Sequence, residues 1–152
     1  IPGQKGSGRK GQRGRRMKSC FVDTNLFVRY LTDDDAEKAD RVDALLGDAS
    51  DGRVRLVTAD LVLVELIWVL ESSYDLKSGE IAPMIRSILA TPGMDVINGA
   101  LLAKAVDHYE AKNVDIVDGY IAALMEKLNI TDIYSFDWKH LSRLKSLKRI
   151  EP

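Results

Sequence analysis

Cysteine, histidine and long apolar runs are all scarce in these 152 residues, and each scarcity removes a class of explanation. The one cysteine, Cys20, has no partner for an internal disulfide, which fits a reducing cytoplasm. The two histidines, His108 and His140, stand in no zinc-like spacing. A zinc enzyme is therefore disfavoured, and so is Ser-His-Asp or Cys-His catalysis. No apolar run approaches the roughly 20 residues that span a bilayer, and the longest, residues 61–70, is interrupted by Glu65. No membrane segment is expected. The N-terminus is basic but lacks the apolar h-region of a secretory signal.

What is present is an uneven distribution of charge. The net charge of −1 conceals six Lys and Arg and no acid in residues 1–16, leaving 16 basic against 23 acidic residues in the remainder. Residues 1–16 are Gly-rich and nearly devoid of apolar side chains, so they cannot bury a core. They read as a flexible basic extension, appended or misassigned, ahead of a single domain of residues 17–152 that starts naturally at Met17. A native nucleic-acid-binding arm is the alternative. The acidic body is a poor partner for phosphates in general. It makes sense if several carboxylates gather in one place to hold cations.

From residue 19 short β-like runs alternate with longer helical ones. Strands are expected at residues 19–22, 54–57, 94–97, 133–136 and 148–150. Helices are expected from a cap at Thr24 or Asn25 through Tyr30, over 34–46, from 58–60 to about 73, over 77–89 with Pro83 near the first turn, from an Asn98 cap through Val106, over 115–128, and briefly near 138–144. Residues 47–52 read as a turn cluster. Strands separated by helices imply an α/β fold, a parallel twisted sheet of four to five strands covered by helices on both faces.

In open parallel sheets ligands bind beyond the carboxyl ends of the strands, which gives four acids a meaning. Asp23 and Asp137 each directly follow an expected strand, with the hydroxyls of Thr24 and Ser135 beside them. Either one alone would ordinarily be a helix cap. Glu65 lies in a helix apolar nearly all round, which predicts burial, and a buried Glu needs a cation, either an Arg or a metal. Asp118 is surrounded by Ile116, Val117, Tyr120 and Ile121, and Asp115 lies one turn earlier on the same side. The default for Asp115 is a favourable charge at the helix N-terminus. Four carboxylates in such a frame suit hard cations, Mg²⁺ or Mn²⁺, of the kind that activate water against phosphodiesters.

The segments Phe21-Val22-Asp23-Thr24-Asn25, Val64-Glu65, Asp115-Ile116-Val117-Asp118-Gly119-Tyr120-Ile121-Ala122-Ala123 and Tyr134-Ser135-Phe136-Asp137 together resemble the PIN-domain family, and within it the VapC-type toxin nucleases of prokaryotic toxin–antitoxin pairs. The likeness covers nearly all of residues 18–150; no single motif is specific, but the ordered set is. It implies catalytic and metal-binding roles for Asp23, Glu65, Asp118 and Asp137, a less regular metal-binding role for Asp115, and supporting roles for Asn25, Thr24 and Ser135. It further implies one or two Mg²⁺ or Mn²⁺ ions, an RNA substrate, a homodimer and a cognate antitoxin. Gly119 departs from the family's usual Ala, at a helix cost of roughly 1 kcal/mol.

Other residues carry weaker expectations. Arg29, Lys139 and Arg143 could touch phosphates but read more simply as surface charge, as do Lys145, Lys148 and Arg149. Trp138 could stack on a base, with capping of the core edge the plainer role. Trp68 and Tyr74 could line a dimer or antitoxin interface, with core packing the plainer role for Trp68. Three competing readings remain: an RNA-processing PIN nuclease without an antitoxin, a catalytically silent PIN-like binding domain, and a receiver-like signalling domain. The silent domain has no need of a buried Glu65. The receiver would want a second acid beside Asp23.

Overall fold

A computed structural model describes residues 16–152, so the expectation for the basic extension lies, but for Arg16, outside the described residues. Three strands, β1 (Lys18–Phe21), β2 (Val54–Ala59) and β3 (Met94–Ile97), pair in parallel in that order, with Lys18 opposite Val54 and Leu56 opposite Met94. Two more, β4 (Asp132–Tyr134) and β5 (Lys148–Ile150), form a second parallel ladder with Ile133 opposite Arg149. The α/β class and the parallel pairing follow the expectation. The single sheet of four to five strands instead divides into ladders of three and two, the smaller built from strands of only three residues.

Among the described residues six α-helices fill the intervals: α1 (Thr24–Leu31), α2 (Ala36–Ser50), α3 (Asp60–Tyr74), α4 (Ser78–Leu89), α5 (Gly99–Lys112) and α6 (Ile116–Leu128). Several boundaries shift from their expected places for local reasons. Asp23, not Thr24 or Asn25, caps α1, its carboxylate accepting from the Leu26 amide. α2 runs through Gly47 to Ser50 because Ala49 is buried on its core side, leaving only a tight turn at Asp51 and Gly52. Pro83 lies in the second turn of α4 on its exposed side. Asn98 stands at the N-cap of α5 as expected, in a left-handed conformation, but its side-chain amide donates to Asp60 and makes no cap hydrogen bond. Asp75, Asn113 and Asn129, also left-handed, end α3, α5 and α6.

The main core sits where α3, α4 and α5 meet β2. Leu56 and Thr58 alternate inward from β2, and Leu63, Leu66, Ile67, Leu70, Ile81, Ile85, Leu102 and Val106 are fully buried around them. Each such side chain stabilises the fold by about 1.5–3 kcal/mol. The buried Thr58 hydroxyl is satisfied by donating to the Val22 carbonyl at 2.9 Å, which ties the exit of β1 to β2.

A second, smaller core determines where the chain goes after β4. Val114, Ala122, Leu141 and Leu144 bury one another, pinning the 3₁₀ turn at Leu141–Arg143 against α6. That contact holds the segment between β4 and β5 beside the N-terminal turn of α6. Among the described residues, no helix is long and apolar enough to cross a membrane.

Candidate active site

Parallel strands send their carboxyl ends to one rim, and the sequence places a polar residue at nearly every exit. Asp23 follows β1 after one residue, Asp60 opens α3 directly after β2, and Asn98 follows β3. Of the four acids singled out above, Asp23 lies at this rim, Asp118 in the first turn of α6, Glu65 in the second turn of α3 and Asp137 three residues after β4.

Two of them form one wall. Asp23 is exposed, and its Oδ1 accepts from the Leu26 amide at 3.4 Å, so the ordinary capping role is real and leaves the other oxygen for a ligand. Thr24 is buried and donates its hydroxyl to Glu65 Oε2 at 2.8 Å, joining the start of α1 to the middle of α3. Asp23, Thr24, Asn25, Arg29 and Glu65 line a common cleft of about 330 Å³. Asn25 shares the cleft with the acids. Arg29 lies there too, already paired with Asp34 at 3.0 Å.

Glu65 overturns one expectation: it is exposed, not buried. Leu61, Glu65 and Trp68 recur at helical spacing on the open face of α3, and Leu61 and Trp68 are 76% and 65% exposed. A helix apolar all round need not be enclosed all round; one stripe of α3 stays largely exposed. Trp68 is therefore not packed in the core either. The argument that a binding module would not need a buried Glu65 loses its footing, although the Thr24 contact remains. Leu61, Val64, Glu65, Trp68, Asp115 and Val117 line a second cleft of about 550 Å³, so Glu65 stands between the first wall and the start of α6.

The other wall is built on α6 and the segment after β4. Asp115 caps α6, its Oδ1 accepting from the Asp118 amide at 2.8 Å. Asp118 is half-buried, and one ligand atom from each of Asp118, Asp137 and His140 lies within 4.8 Å of the others. Burial, then the negative charges of Asp115 and Asp137, push the Asp118 carboxyl above the usual range, while His140 opposes them. Asp137 moves the other way: hydrogen bonds from the His140 side chain and backbone hold its carboxyl below the usual range. Asp137 does not follow its strand directly, because β4 ends at Tyr134. Ser135 supports it indirectly, its Oγ accepting from the Asp137 amide at 3.0 Å rather than touching the carboxylate.

The acids are thus linked in series, Asp23 to Glu65 through Thr24 and their cleft, Glu65 to Asp115 through the next, and Asp115 to Asp118 and Asp137 by charge. Among the described residues, Asp118 and Asp137 form one cluster with His140, a residue that sequence reasoning passed over. His140 stands in no zinc-like spacing, and the signal it does carry is its three-residue offset from Asp137, which places both on one turn. Asp60 was also missed, though it follows a strand as Asp23 does. Its carboxylate is engaged elsewhere, accepting from the Tyr120 hydroxyl, from Asn98 Nδ2 at 3.1 Å and from the Leu61 amide at 2.9 Å. Burial raises Asp60, but these donors outweigh it and hold the carboxyl low, and burial together with Asp60 pushes the Tyr120 hydroxyl up to about 12. This network fastens α6 to the exits of β2 and β3.

The residues given weaker expectations divide. Lys139 and Lys145 are exposed, and Arg143 donates to the Asn113 carbonyl. Arg149 is not simply solvated: it donates to the Ser135 carbonyl at 2.9 Å, and its guanidinium lies 5.1 Å from the centre of the Trp138 ring. Trp138 is exposed under that cation and does not cap the core. Tyr74 donates to Asp34 at 2.8 Å.

Gly119, beside Asp118, also has a reason to be glycine. A Cβ there would stand 2.7 Å from the backbone carbonyl oxygen of Ala105, so α5 and α6 meet at a distance that admits no side chain. The helix cost anticipated at this position secures a close approach that the sequence alone did not disclose.

Compared with known proteins, residues 20–147 match the sequence model of the PIN domain. The chain is also similar to a VapC ribonuclease of Aquifex aeolicus (strain VF5), with 21% identity over 116 residues, covering 76% of this chain and 85% of that protein.

Proposed function

This chain belongs to the PIN domain family, and on that premise we propose that it is a metal-dependent endoribonuclease, the toxin of a type II toxin–antitoxin pair. The observation that carries the reading is the placing of Asp118 against Asp137, with Asp115 close enough to disturb Asp118 and the Asp23–Glu65 cleft adjoining. The similarity to a VapC ribonuclease supports RNA as the substrate and an antitoxin as the partner. The catalytic domain would be residues 17–152, acting in the cytoplasm.

The donors fit a hard divalent cation. They are carboxylate oxygens on two sides of an open rim, and Asp118 is pushed toward protonation by burial and then by like charges that a cation would offset. Asp23, Glu65, Asp118 and Asp137 would hold the metal, with Asp115 as a further acid and Thr24, Asn25 and Ser135 in support. When bound, Mg²⁺ or Mn²⁺ supplies the Lewis acidity that lets water attack a phosphodiester near neutral pH. The chain's own part is positional: the Thr24 hydroxyl fixes Glu65, the α1 amide fixes Asp23, and the second core fixes the Asp137 turn against α6. The open apolar stripe of Leu61 and Trp68 with nearby Val117 supports a protein partner, a second copy or the antitoxin, next to the acids.

The deciding experiment incubates antitoxin-free protein with a pool of tRNA and rRNA under Mg²⁺ or Mn²⁺, with Asp118→Asn alongside. Cutting that needs the metal and disappears in the variant supports the nuclease. Intact RNA under every metal would turn the assignment toward a silent PIN-like binding domain.

A further inference from the structure

We infer that His140 is a nitrogen ligand of the divalent cation, so that the centre on α6 is a mixed carboxylate–imidazole site with a preference for Mn²⁺ over Mg²⁺. The inference rests on the metal-dependent reading above and adds a ligand to it.

The geometry begins with packing. Leu141 and Leu144 are buried against Val114 and Ala122, so the residue before Leu141 is placed by a core contact and not by a free loop. The turn is closed further by the His140 amide, which donates to Asp137 Oδ1 at 3.2 Å, and by the Ser142 amide, which donates to the Trp138 carbonyl at 3.1 Å. His140 Nδ1 then stands 3.1 Å from Asp137 Oδ2, and Asp118 brings a third ligand atom within 4.8 Å. Two adjacent ligands of an octahedral ion with bonds of about 2.1–2.2 Å lie about 3 Å apart. The imidazole and the carboxylate already stand at that separation. A cation could take both with little rearrangement of the turn.

The chemistry sets the preference. Imidazole binds first-row transition ions, Mn²⁺ the weakest of them, better than it binds Mg²⁺, which favours oxygen and retains its waters. An all-carboxylate site would discriminate little on this ground. The competing role for His140 is to orient Asp137 through the Nδ1 hydrogen bond and never touch the ion, which makes the nitrogen itself the quantity to measure.

The test uses the whole chain, stripped of metal and reloaded with Mn²⁺, and reads electron spin-echo envelope modulation at the ion. Direct ¹⁴N coupling is expected in the wild type, changed by ¹⁵N-histidine labelling and absent in His140→Gln. His108, the other histidine, contacts Glu126 at 2.9 Å across α5 and α6 and should contribute no coupling. Calorimetry should show Mn²⁺ affinity falling about tenfold or more in His140→Gln, with Mg²⁺ affinity falling much less. Bound Mn²⁺ without nitrogen coupling, or equal losses for both ions, would overturn the inference and leave an oxygen-only nuclease centre intact. No binding of either ion would overturn the inference and the metal-dependent reading together.

Discussion

The two walls of the acidic rim hold their carboxylates by opposite means. On the α1–α3 wall each acid meets a neutral donor, the Leu26 amide for Asp23 and the Thr24 hydroxyl for Glu65. On the α6 wall Asp118 meets burial and two like charges, relieved in part by His140, which also holds Asp137 low. Neutral donors organise carboxylates whether or not a cation is present. Like charges organise them at a cost that only a cation removes. The first wall is organised by folding alone, whereas on the proposed reading Asp118 in the second would gain most from a cation.

The largest expected effect comes from breaking the second wall at its centre. Asp118→Asn should lower RNA cleavage by about 100-fold or more, as expected for loss of a group that stabilises developing charge. The metal-free variant should nevertheless melt no lower than the wild type, because a strained charge is gone. A variant that cleaves normally would remove Asp118 from the catalytic set. Next in size, Gly119→Ala should destabilise by about 1–3 kcal/mol through overpacking against the Ala105 carbonyl, despite the better helix propensity of Ala. Denaturant unfolding that shows a gain instead would mean α5 retreats freely.

Thr24→Ala tests the first wall and should cost about 1 kcal/mol of stability for the lost hydrogen bond to Glu65, plus a modest fall in activity. Thr24→Ser should restore the activity; failure of that rescue would make the Thr24 methyl, not its hydroxyl, the important group. The smallest effect is in pH. Because folding raises the Asp118 carboxyl, its ionised form opposes folding at neutral pH, and that opposition fades as pH falls through its raised value. Melting curves without metal should show the Asp118→Asn advantage shrinking as pH drops from neutral into the carboxylate range. An advantage that widens would reverse the sign assigned to this site.

Much of this contrast was legible in the sequence because it is local. Asp23, Asp115 and Asp118 are named by their positions at a strand exit and a helix start, and the alternation of strands and helices placed those exits on one side. What failed was whatever depended on who packs where. Glu65 looked buried because its helix is apolar on every face, yet periodicity cannot say which face stays exposed, and Leu61 and Trp68 show that this one does. The division of the strands into two ladders depends on pairing rather than on strand propensity. His140 stands in no zinc-like spacing, and its partner is the acid one turn before it. Asp60 had the same local signal as Asp23, and only Tyr120, distant in the chain, commits it to holding α6 instead.

The missing side chain at Gly119 has a consequence for how this molecule can be altered. With no side chain at Gly119 to hold α5 and α6 apart, the depth at which Asp118 sits is gauged against the Ala105 carbonyl. The two helices therefore behave as a single exchangeable cassette. A chimera that imports α6 with Ala at position 119, while keeping this chain's α5, would receive every acid and still set Asp118 off its mark. Moved together, the pair carries its own ruler.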